Sequence, residues 1–165
     1  MSIPQYPKMV EKWGVFEISC RGKSDKNPFT DYTIQGEFSS KNETITVDGF
    51  YDGDGVYKVR FMPRFEEDHV FRIFGTFSEE TVGGAFSVAP PAEKNHGPVH
   101  VANTFHFAYE DGTPYYPIGT TCYVWELQSE ALQKQTLETL KNSAFNKIRF
   151  CIFPKHYDYN LNERG

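Results

Sequence analysis

The sequence predicts a mainly β fold, in which an immunoglobulin-like antiparallel β-sandwich is followed by the first strand–helix–strand unit of an α/β domain. Three observations support this prediction. Roughly the first ninety residues alternate between apolar and polar side chains with a period of two, which is typical of half-buried strands. A segment rich in proline and turn-forming residues, APPAEKNHGPVHVA, then interrupts the alternation. Beyond it, two apolar runs flank a segment with helical spacing.

The sandwich is predicted over residues 1–90. In YTIQGEFS, the apolar residues Tyr32, Ile34 and Phe38 alternate with polar ones, and the runs VYKVRFMP and HVFRIFGTF follow the same pattern. Turn signals separate the runs: KSDKNP, DGDG, PRFEED and VGG. Each strand therefore has one apolar face, and two sheets that pack these faces together would form the core.

A linker is predicted over residues 91–104, and a β-hairpin follows it. Pro90 and Pro91 stiffen the start of the linker, and the run NHGP indicates a turn. The run FHFAYEDGTPYYPIG contains two short apolar stretches around Asp111 and Gly112, a pair that favours a hairpin turn.

A βαβ unit is predicted within residues 105–165, after the hairpin. PIGTTCYVW is predicted to be a nearly uninterrupted apolar strand that ends at Trp125, and KIRFCIF is a second apolar strand. Between them, Ser129 is a favourable N-cap and Glu130 suits the positive end of the helix dipole. A leucine stripe continues to Lys141. Two apolar strands joined by a helix are typical of a parallel sheet that is covered on both faces.

Composition and charge exclude several classes of function. A formal net charge of -5 at pH 7 argues against a nucleic-acid partner, because such proteins carry a basic surface stripe. The start of the chain has no secretory signal pattern and no apolar run reaches membrane-spanning length, so we expect a cytoplasmic protein without a membrane partner. Cys20, Cys122 and Cys151 are scattered and odd in number, which predicts reduced core thiols without a disulfide or zinc framework.

No cofactor or metal site is expected from the motifs. The DGDG turn begins like a calcium loop, but Pro63 occupies the position where such a loop needs a bidentate glutamate. The histidines show no paired-ligand spacing, and no nucleotide-binding glycine loop or nucleophile elbow is present.

Four segments resemble a group of bacterial proteins that are classed with the glycoside hydrolases: VDGFYDGDGVYKVRFMP, NHGPVHV, DGTPYYPIGTTCYVW and FNKIRFCIFPKHYDYN. In that group, an N-terminal immunoglobulin-like sandwich precedes a (β/α)₈ barrel related to the retaining-glycosidase clan and to apiosidase-like enzymes. The resemblance covers nearly the whole chain in order. It implies that residues 105–165 contain the truncated start of such a barrel. It also implies a longer parent enzyme that acts on plant or microbial polysaccharide or oligosaccharide.

No catalytic residue is assigned in this chain. Glycosidases use two carboxylates that flank the glycosidic bond, and the resemblance implies that these come from the fourth and seventh barrel strands. A closed barrel takes about 250 residues, whereas this chain has room for only its first two strands. We therefore expect a fragment that is inactive by itself and that can form homo-oligomers through its exposed barrel strands.

Four residues are candidates for substrate binding, because barrel active sites lie at the C-terminal ends of strands. Tyr123 and Trp125 end the first strand and could stack on sugar rings, although Trp125 could instead pack under the helix. Arg149 resembles the strand-two arginine that orients the nucleophilic carboxylate in the clan, and a structural salt bridge is the alternative. His156 follows the second strand and could reach a substrate hydroxyl, or it could lie in a polar loop that binds nothing.

Two other functions remain open at this stage. The sandwich could be a carbohydrate-binding module that holds sugar through exposed aromatic residues, or it could have a purely structural or assembly role. The alternation places most strand aromatics, such as Tyr57, towards the core, which counts against the binding module.

Overall fold

The structure, a computed structural model, describes residues 4–152 of the chain. The fold is mainly β, with several antiparallel sheets and, among the described residues, a single α-helix. The chain divides into two compact units, the first ending at Thr113 and the second beginning at Pro114. The mainly β prediction is confirmed, whereas the division into a sandwich, a linker and a barrel segment stays a prediction.

The first unit contains ten strands, which are listed here in chain order. They are β1 (Met9–Glu11), β2 (Phe16–Arg21), β3 (Gln35–Ser39), β4 (Thr44–Asp48), β5 (Phe50–Gly53), β6 (Val56–Phe61), β7 (His69–Phe74), β8 (Val82–Ala89), β9 (Val99–Ala102) and β10 (His106–Tyr109).

Two of its sheets form the main body of this unit. The five-stranded sheet has the order β1-β8-β7-β3-β4, and the three-stranded sheet has the order β2-β6-β5. Strand β1 pairs with β8 in parallel, and the other neighbours in these two sheets are antiparallel. The register follows the alternation in the sequence: Ile18 lies opposite Val59, and Phe38 lies opposite Phe71. Core-facing residues therefore line up across each sheet.

The hydrophobic core lies where these two sheets face each other. Phe38 of the five-stranded sheet stacks on Phe61 of the other, with ring centroids 4.3 Å apart. Phe16 and Phe86 make the same kind of contact at 4.1 Å. Side chains of this size stabilise a fold by about 1.5–3 kcal/mol each when fully buried. The predicted alternation is confirmed: Phe16, Ile18, Val59, Phe71 and Ile73 are buried, and Arg72 is exposed. At the start of β7 the chemistry is reversed, because the polar His69 is buried and the apolar Val70 is 59% exposed.

The DGDG turn between β5 and β6 is a hairpin turn, as predicted. Gly53 and Gly55 have φ angles of +95° and +73°, and Asp54 between them has +48°. Glycine and aspartate tolerate this left-handed region better than bulky or β-branched residues do. The turn thus supplies the chain reversal that pairs Tyr51 with Tyr57.

Strand β9 lies within the segment that the sequence analysis treated as a linker. Its residues pair with β10 in antiparallel register, from Val99 with Tyr109 to Ala102 with His106. The local alternation Val-His-Val supports this strand, but its short length and the preceding turn cluster hid the signal.

The turn after β10 depends on Asp111. Its Oδ1 accepts a hydrogen bond of 2.9 Å from the backbone N–H of Thr113, and its Oδ2 lies 2.7 Å from His96 Nδ1. The Thr113 N–H and the His96 imidazole together hold the pKa of Asp111 below its usual value. Gly112, with a φ of +88°, completes the turn that was predicted here.

The second unit contains a short βαβ unit. Its elements are β11 (Pro114–Tyr115), β12 (Gly119–Thr121), a 3-10 helix (Trp125–Leu127), α1 (Glu130–Lys141) and β13 (Lys147–Arg149). Strands β12 and β13 are parallel, and α1 connects them, as the sequence predicted. The Ser129 side chain caps α1 by accepting a hydrogen bond from Leu132 N, and Asn142 is the C-cap. Within the described part of the chain, no helix is long and apolar enough to cross a membrane.

The first apolar strand of this unit is shorter than predicted. It ends at Thr121 rather than at Trp125. Beyond it the backbone turns, because Trp125 N donates to Cys122 O at 3.2 Å and Leu127 N donates to Val124 O at 3.1 Å. These i→i+3 bonds replace strand pairing and place Trp125 in a 3-10 helix.

Candidate functional site

The candidate site lies at the carboxyl ends of β12 and β13. In the parallel register Thr121 lies opposite Arg149, so both strands end at the same edge. Backbone bonding continues just past the strands, since Cys122 N donates to Arg149 O at 2.8 Å and Cys151 N donates to Tyr123 O at 3.0 Å. These bonds fix the backbone on both sides of the edge where the predicted residues lie.

Tyr123 and Arg149 are brought together at this edge. The guanidinium carbon of Arg149 lies 5.4 Å from the centre of the Tyr123 ring, within the range of a cation–π contact. Tyr123 is 49% exposed, so this pair faces open space. Among residues 4–152, no carboxylate lies within ion-pair distance of Arg149. The structural salt bridge considered from the sequence is therefore absent from this part of the chain, and the guanidinium donors are available to a ligand or to another segment.

Trp125 follows Tyr123 by two residues, and its side chain is oriented by α1. Its indole Nε1 donates to the carbonyl oxygen of Gln133 at 3.3 Å. Its ring meets Phe150, the residue after Arg149, edge-on with centroids 5.9 Å apart. The indole N–H is thus hydrogen-bonded to the first turns of α1, and only part of the ring can contact a ligand. The substrate-binding role of Trp125 stays a prediction.

His156 lies outside the described residues, together with the rest of the PKHYDYN loop. The structure thus places Tyr123 and Arg149 in direct contact, whereas Trp125 contacts Phe150, the residue after Arg149.

Glu126 follows Trp125 in the 3-10 helix and was not among the residues predicted from the sequence. Both of its carboxylate oxygens are buried, and neither has a hydrogen-bond partner. A buried carboxylate without partners is costly, so such a group is a candidate for contact with a ligand or with another segment. An acidic residue directly after an apolar run was the available signal, but the sequence alone did not show that its carboxylate would be buried.

This edge can therefore recognise polar ligands. Arg149 can donate two parallel hydrogen bonds to a carboxylate or to neighbouring hydroxyls, and Tyr123 adds an aromatic surface. Within the part of the chain that the structure describes, no group of three or more His, Cys, Asp or Glu residues is placed to hold a metal ion.

Comparisons with known proteins give a family model and several solved structures that match this chain. A family model described as a domain of unknown function (DUF5060) matches residues 9–75, which lie in the first unit. A crystal structure described as a putative glycoside hydrolase from Bacteroides vulgatus is similar over 92% of this chain, with 38% sequence identity and a TM-score of 0.84. This chain spans 30% of the length of that protein. No curated protein matches this chain.

Proposed function

We propose that this chain is the N-terminal portion of a glycoside hydrolase, with an accessory immunoglobulin-like sandwich followed by the start of a (β/α)₈ barrel. The observation that carries the proposal is the likeness to the Bacteroides vulgatus structure, which extends over nearly the whole chain. At this level of identity the likeness concerns the sequence as well as the fold.

Strand order supports the immunoglobulin-like part of the proposal. Strands β8, β7, β3 and β4 are consecutive in one sheet, and β2, β6 and β5 form the other. This order is consistent with a variable-type immunoglobulin sandwich. Strand β1 is the additional strand, and it lies at the edge of the larger sheet next to β8. The core aromatics bridge the two sheets, as such a sandwich requires.

The parallel β12–α1–β13 unit supports the barrel part of the proposal. A barrel consists of such units, and its active site lies at the carboxyl ends of the strands. We assign the sugar-binding role to that edge, where Tyr123, Trp125 and Arg149 lie, and we retain His156 as a further candidate. The catalytic carboxylates are proposed to lie in later strands of a longer protein, as in the retaining-glycosidase clan that the sequence resembles.

In this proposal Arg149 has a positioning role. Its cation–π contact with Tyr123 holds the guanidinium at the strand end, and a carboxylate supplied by a later strand would receive its hydrogen bonds. Such bonds stabilise the ionised form of the acid, which a nucleophilic carboxylate requires. A carbohydrate is the proposed substrate, and both the cytoplasmic location and self-association remain part of the proposal.

The test is a hydrolysis assay on the full-length protein that contains this chain. Purified protein is assayed against a panel of aryl glycosides, and the variant Arg149→Lys is compared with wild type. We expect hydrolysis of at least one substrate and a loss of about 100-fold in kcat/KM for the variant, since a single-point ammonium cannot replace a bidentate guanidinium. Because the role is positional, the pH profile of kcat/KM should also shift on its acidic limb.

Lys147→Gln is the matched control, because Lys147 is a basic residue at the opposite end of the same strand. Its kcat/KM should stay within about twofold of wild type, as expected for a surface residue outside the site. A well-folded full-length protein that hydrolyses no glycoside in the panel would contradict the enzyme proposal. Equal losses of kcat/KM in Arg149→Lys and Lys147→Gln would contradict the positioning role of Arg149.

A further inference from the structure

A separate polar cleft lies in the first unit, where the end of β1 meets the β3–β4 turn and the loop after β6. Its volume is about 360 Å³, and ligand pockets commonly measure about 300–1,000 Å³. Its walls come from four places in the sequence: Lys12 and Trp13, Asn42 and Glu43, Arg64 and Phe65, and Glu110.

Trp13 forms a fixed wall of this cleft and has a strained backbone. Its φ angle is +63°, in a region that bulky residues rarely adopt and that costs roughly 1–2 kcal/mol. The surrounding structure holds it there, because its N–H donates to Pro63 O at 2.8 Å. Its indole also lies against Gly97, where a Cβ would come within 2.7 Å of the ring. Strain held in place in this manner is typical of functional sites.

Glu43 supplies a second independent observation. Only 6% of its side chain is exposed, and its Oε2 accepts two hydrogen bonds from Arg64, at 3.2 Å and 2.9 Å. Its Oε1 is buried without a hydrogen-bond partner. It lies 3.8 Å from Nε2 of the fully buried His69, and that nitrogen has no hydrogen-bond partner either. Nδ1 of His69 is 3.0 Å from the carbonyl oxygen of Glu67, which can only accept. Glu43 therefore fixes the Arg64 guanidinium in the wall of the cleft, and the remaining N–H donors of Arg64 can meet a ligand.

The charges of the lining indicate the class of ligand. Lys12 and Arg64 balance Glu43 and Glu110, so the lining as a whole is neutral. Two ion pairs already engage these groups, Lys12 with Glu66 at 3.5 Å and Arg64 with Glu43, and Glu110 lies 3.6 Å from His100 Nδ1. The two carboxylates would repel phosphate or another strong anion, and the arginine and the lysine would repel a strong cation. The lining therefore does not favour a strongly charged ligand.

The remaining polar groups and the aromatic rings favour a polyhydroxylated ligand. Arg64 and Lys12 can donate, while the exposed carboxylate of Glu110 and the side-chain oxygen of Asn42 can accept, so the lining can pair with hydroxyl groups, which both donate and accept. The 38% exposed Phe65 adds aromatic surface for the C–H face of a sugar ring. Trp13 adds the part of its ring that Lys12, 4.5 Å from the ring centre, and Gly97 do not cover. We propose that the cleft formed by Trp13, Glu43, Arg64 and Phe65 binds a neutral sugar unit of an oligosaccharide, separately from the strand ends of the second unit. The choice of a sugar among neutral polyols rests on the proposed function.

The first experiment is a titration of the 165-residue chain, observed through its two tryptophan indole N–H signals in ¹H–¹⁵N spectra. The probes are neutral gluco-, xylo-, manno- and galacto-oligosaccharides, with sodium phosphate as an anionic comparison. Trp13 lines the cleft and Trp125 lies at the strand ends, so the two signals distinguish the two sites. We expect at least one oligosaccharide to shift the Trp13 signal in a saturable manner, and phosphate to leave it unchanged.

The second experiment compares matched variants by calorimetric titration with the oligosaccharide that binds. Arg64→Gln removes a cleft residue, and Arg72→Gln removes an arginine of similar side-chain exposure (54% against 58%) that pairs with Glu37 outside the cleft. Phe65→Ala and Phe50→Ala form a second matched pair, with 38% and 37% exposure. We expect Kd to rise at least about 10-fold for each cleft variant, as for the loss of a charge-assisted hydrogen bond or an aromatic contact. The two controls should stay within about twofold.

The outcomes separate this inference from the proposed function. A shift confined to the Trp125 signal would overturn the cleft as a sugar site and would support the strand-end site. No shift with any oligosaccharide, a Trp13 shift with phosphate, or equal losses in cleft and control variants would each overturn the inference. The hydrolysis assay with Arg149→Lys would be unaffected by these results.

Discussion

The two units of this protein use similar apolar side chains in opposite ways. In the first unit, Phe16 and Phe38 are fully buried between two sheets. In the second unit, Leu137 is 49% exposed, Ile152 is more exposed still, and no residue of α1 is buried. The difference follows from topology. Antiparallel strands that follow one another in sequence can close a core among themselves, whereas a parallel βαβ unit needs further elements to cover both faces of its strands.

The largest expected effect is on the core of the first unit. Phe16→Ala should lower the free energy of unfolding by about 3–5 kcal/mol, because it leaves a cavity among the rings of Phe38, Phe71 and Phe86. Urea denaturation followed by fluorescence measures this change. Leu137→Ala is the control and should cost less than about 1 kcal/mol, since its side chain is half exposed. A larger loss for Leu137→Ala would mean that α1 packs against a core in solution.

A second prediction uses the three cysteines, which are all free and are divided between the units. Burial raises the pKa of the Cys20 thiol to about 11. At pH 8 only about a thousandth of such a thiol is ionised, compared with roughly a quarter of an ordinary one. We expect Cys122 and Cys151, which are partly exposed, to react with iodoacetamide at least about 100-fold faster than Cys20.

The labelling can be followed by mass spectrometry of the intact chain and its peptides. Two labels should enter quickly at pH 8, and the third should enter only in denaturant or as the pH approaches the Cys20 pKa of about 11. Rapid labelling of Cys20 in the native protein would show that the two-sheet core opens readily. The proposed difference in packing between the two units would then be wrong.

A third prediction concerns the cap of α1. Ser129→Ala removes the side-chain oxygen that accepts from Leu132 N and should destabilise the helix by about 1 kcal/mol. Amide hydrogen exchange should become about fivefold faster in the first turn of α1, while the strands of the first unit keep their protection. Ser129→Asp is the restoring variant, because aspartate is also a good cap. A loss of protection throughout the first unit would show that the two units unfold together.

The smallest effect is expected at the surface of the first unit. The hydrogen bond from Arg60 is the main cause that lowers the pKa of Glu17, with Lys58 adding to it. A carboxyl with a lowered pKa stabilises the fold above its usual pKa, and this contribution is lost as the pH falls through the folded value. Arg60→Gln should therefore cost less than about 1 kcal/mol at pH 7, and the difference from wild type should disappear near pH 2. Urea denaturation at both pH values checks this, and a difference that grows in acid would contradict it.

Much of the fold could be predicted because its signals are local. The alternation around Phe38, the DGDG turn and the Ser129 cap each depend on residues within a few positions of one another, and all three are confirmed. Strand β9 and the early end of β12 were missed. Both depend on which backbone N–H and C=O groups form hydrogen bonds between strands, and a short apolar run does not specify this pairing.

The candidate sites illustrate the same limit. Local sequence determined that aromatic and basic residues occur near the strand ends, but only the parallel register placed Arg149 over Tyr123. Likewise, only the packing of three distant loops placed Trp13, Glu43 and Arg64 around one cleft. The physical reason is that hydrogen-bonding turns, caps and alternating faces are set by neighbours along the chain. Contacts between residues far apart are set by the sheets that bring them together, and no short motif encodes them.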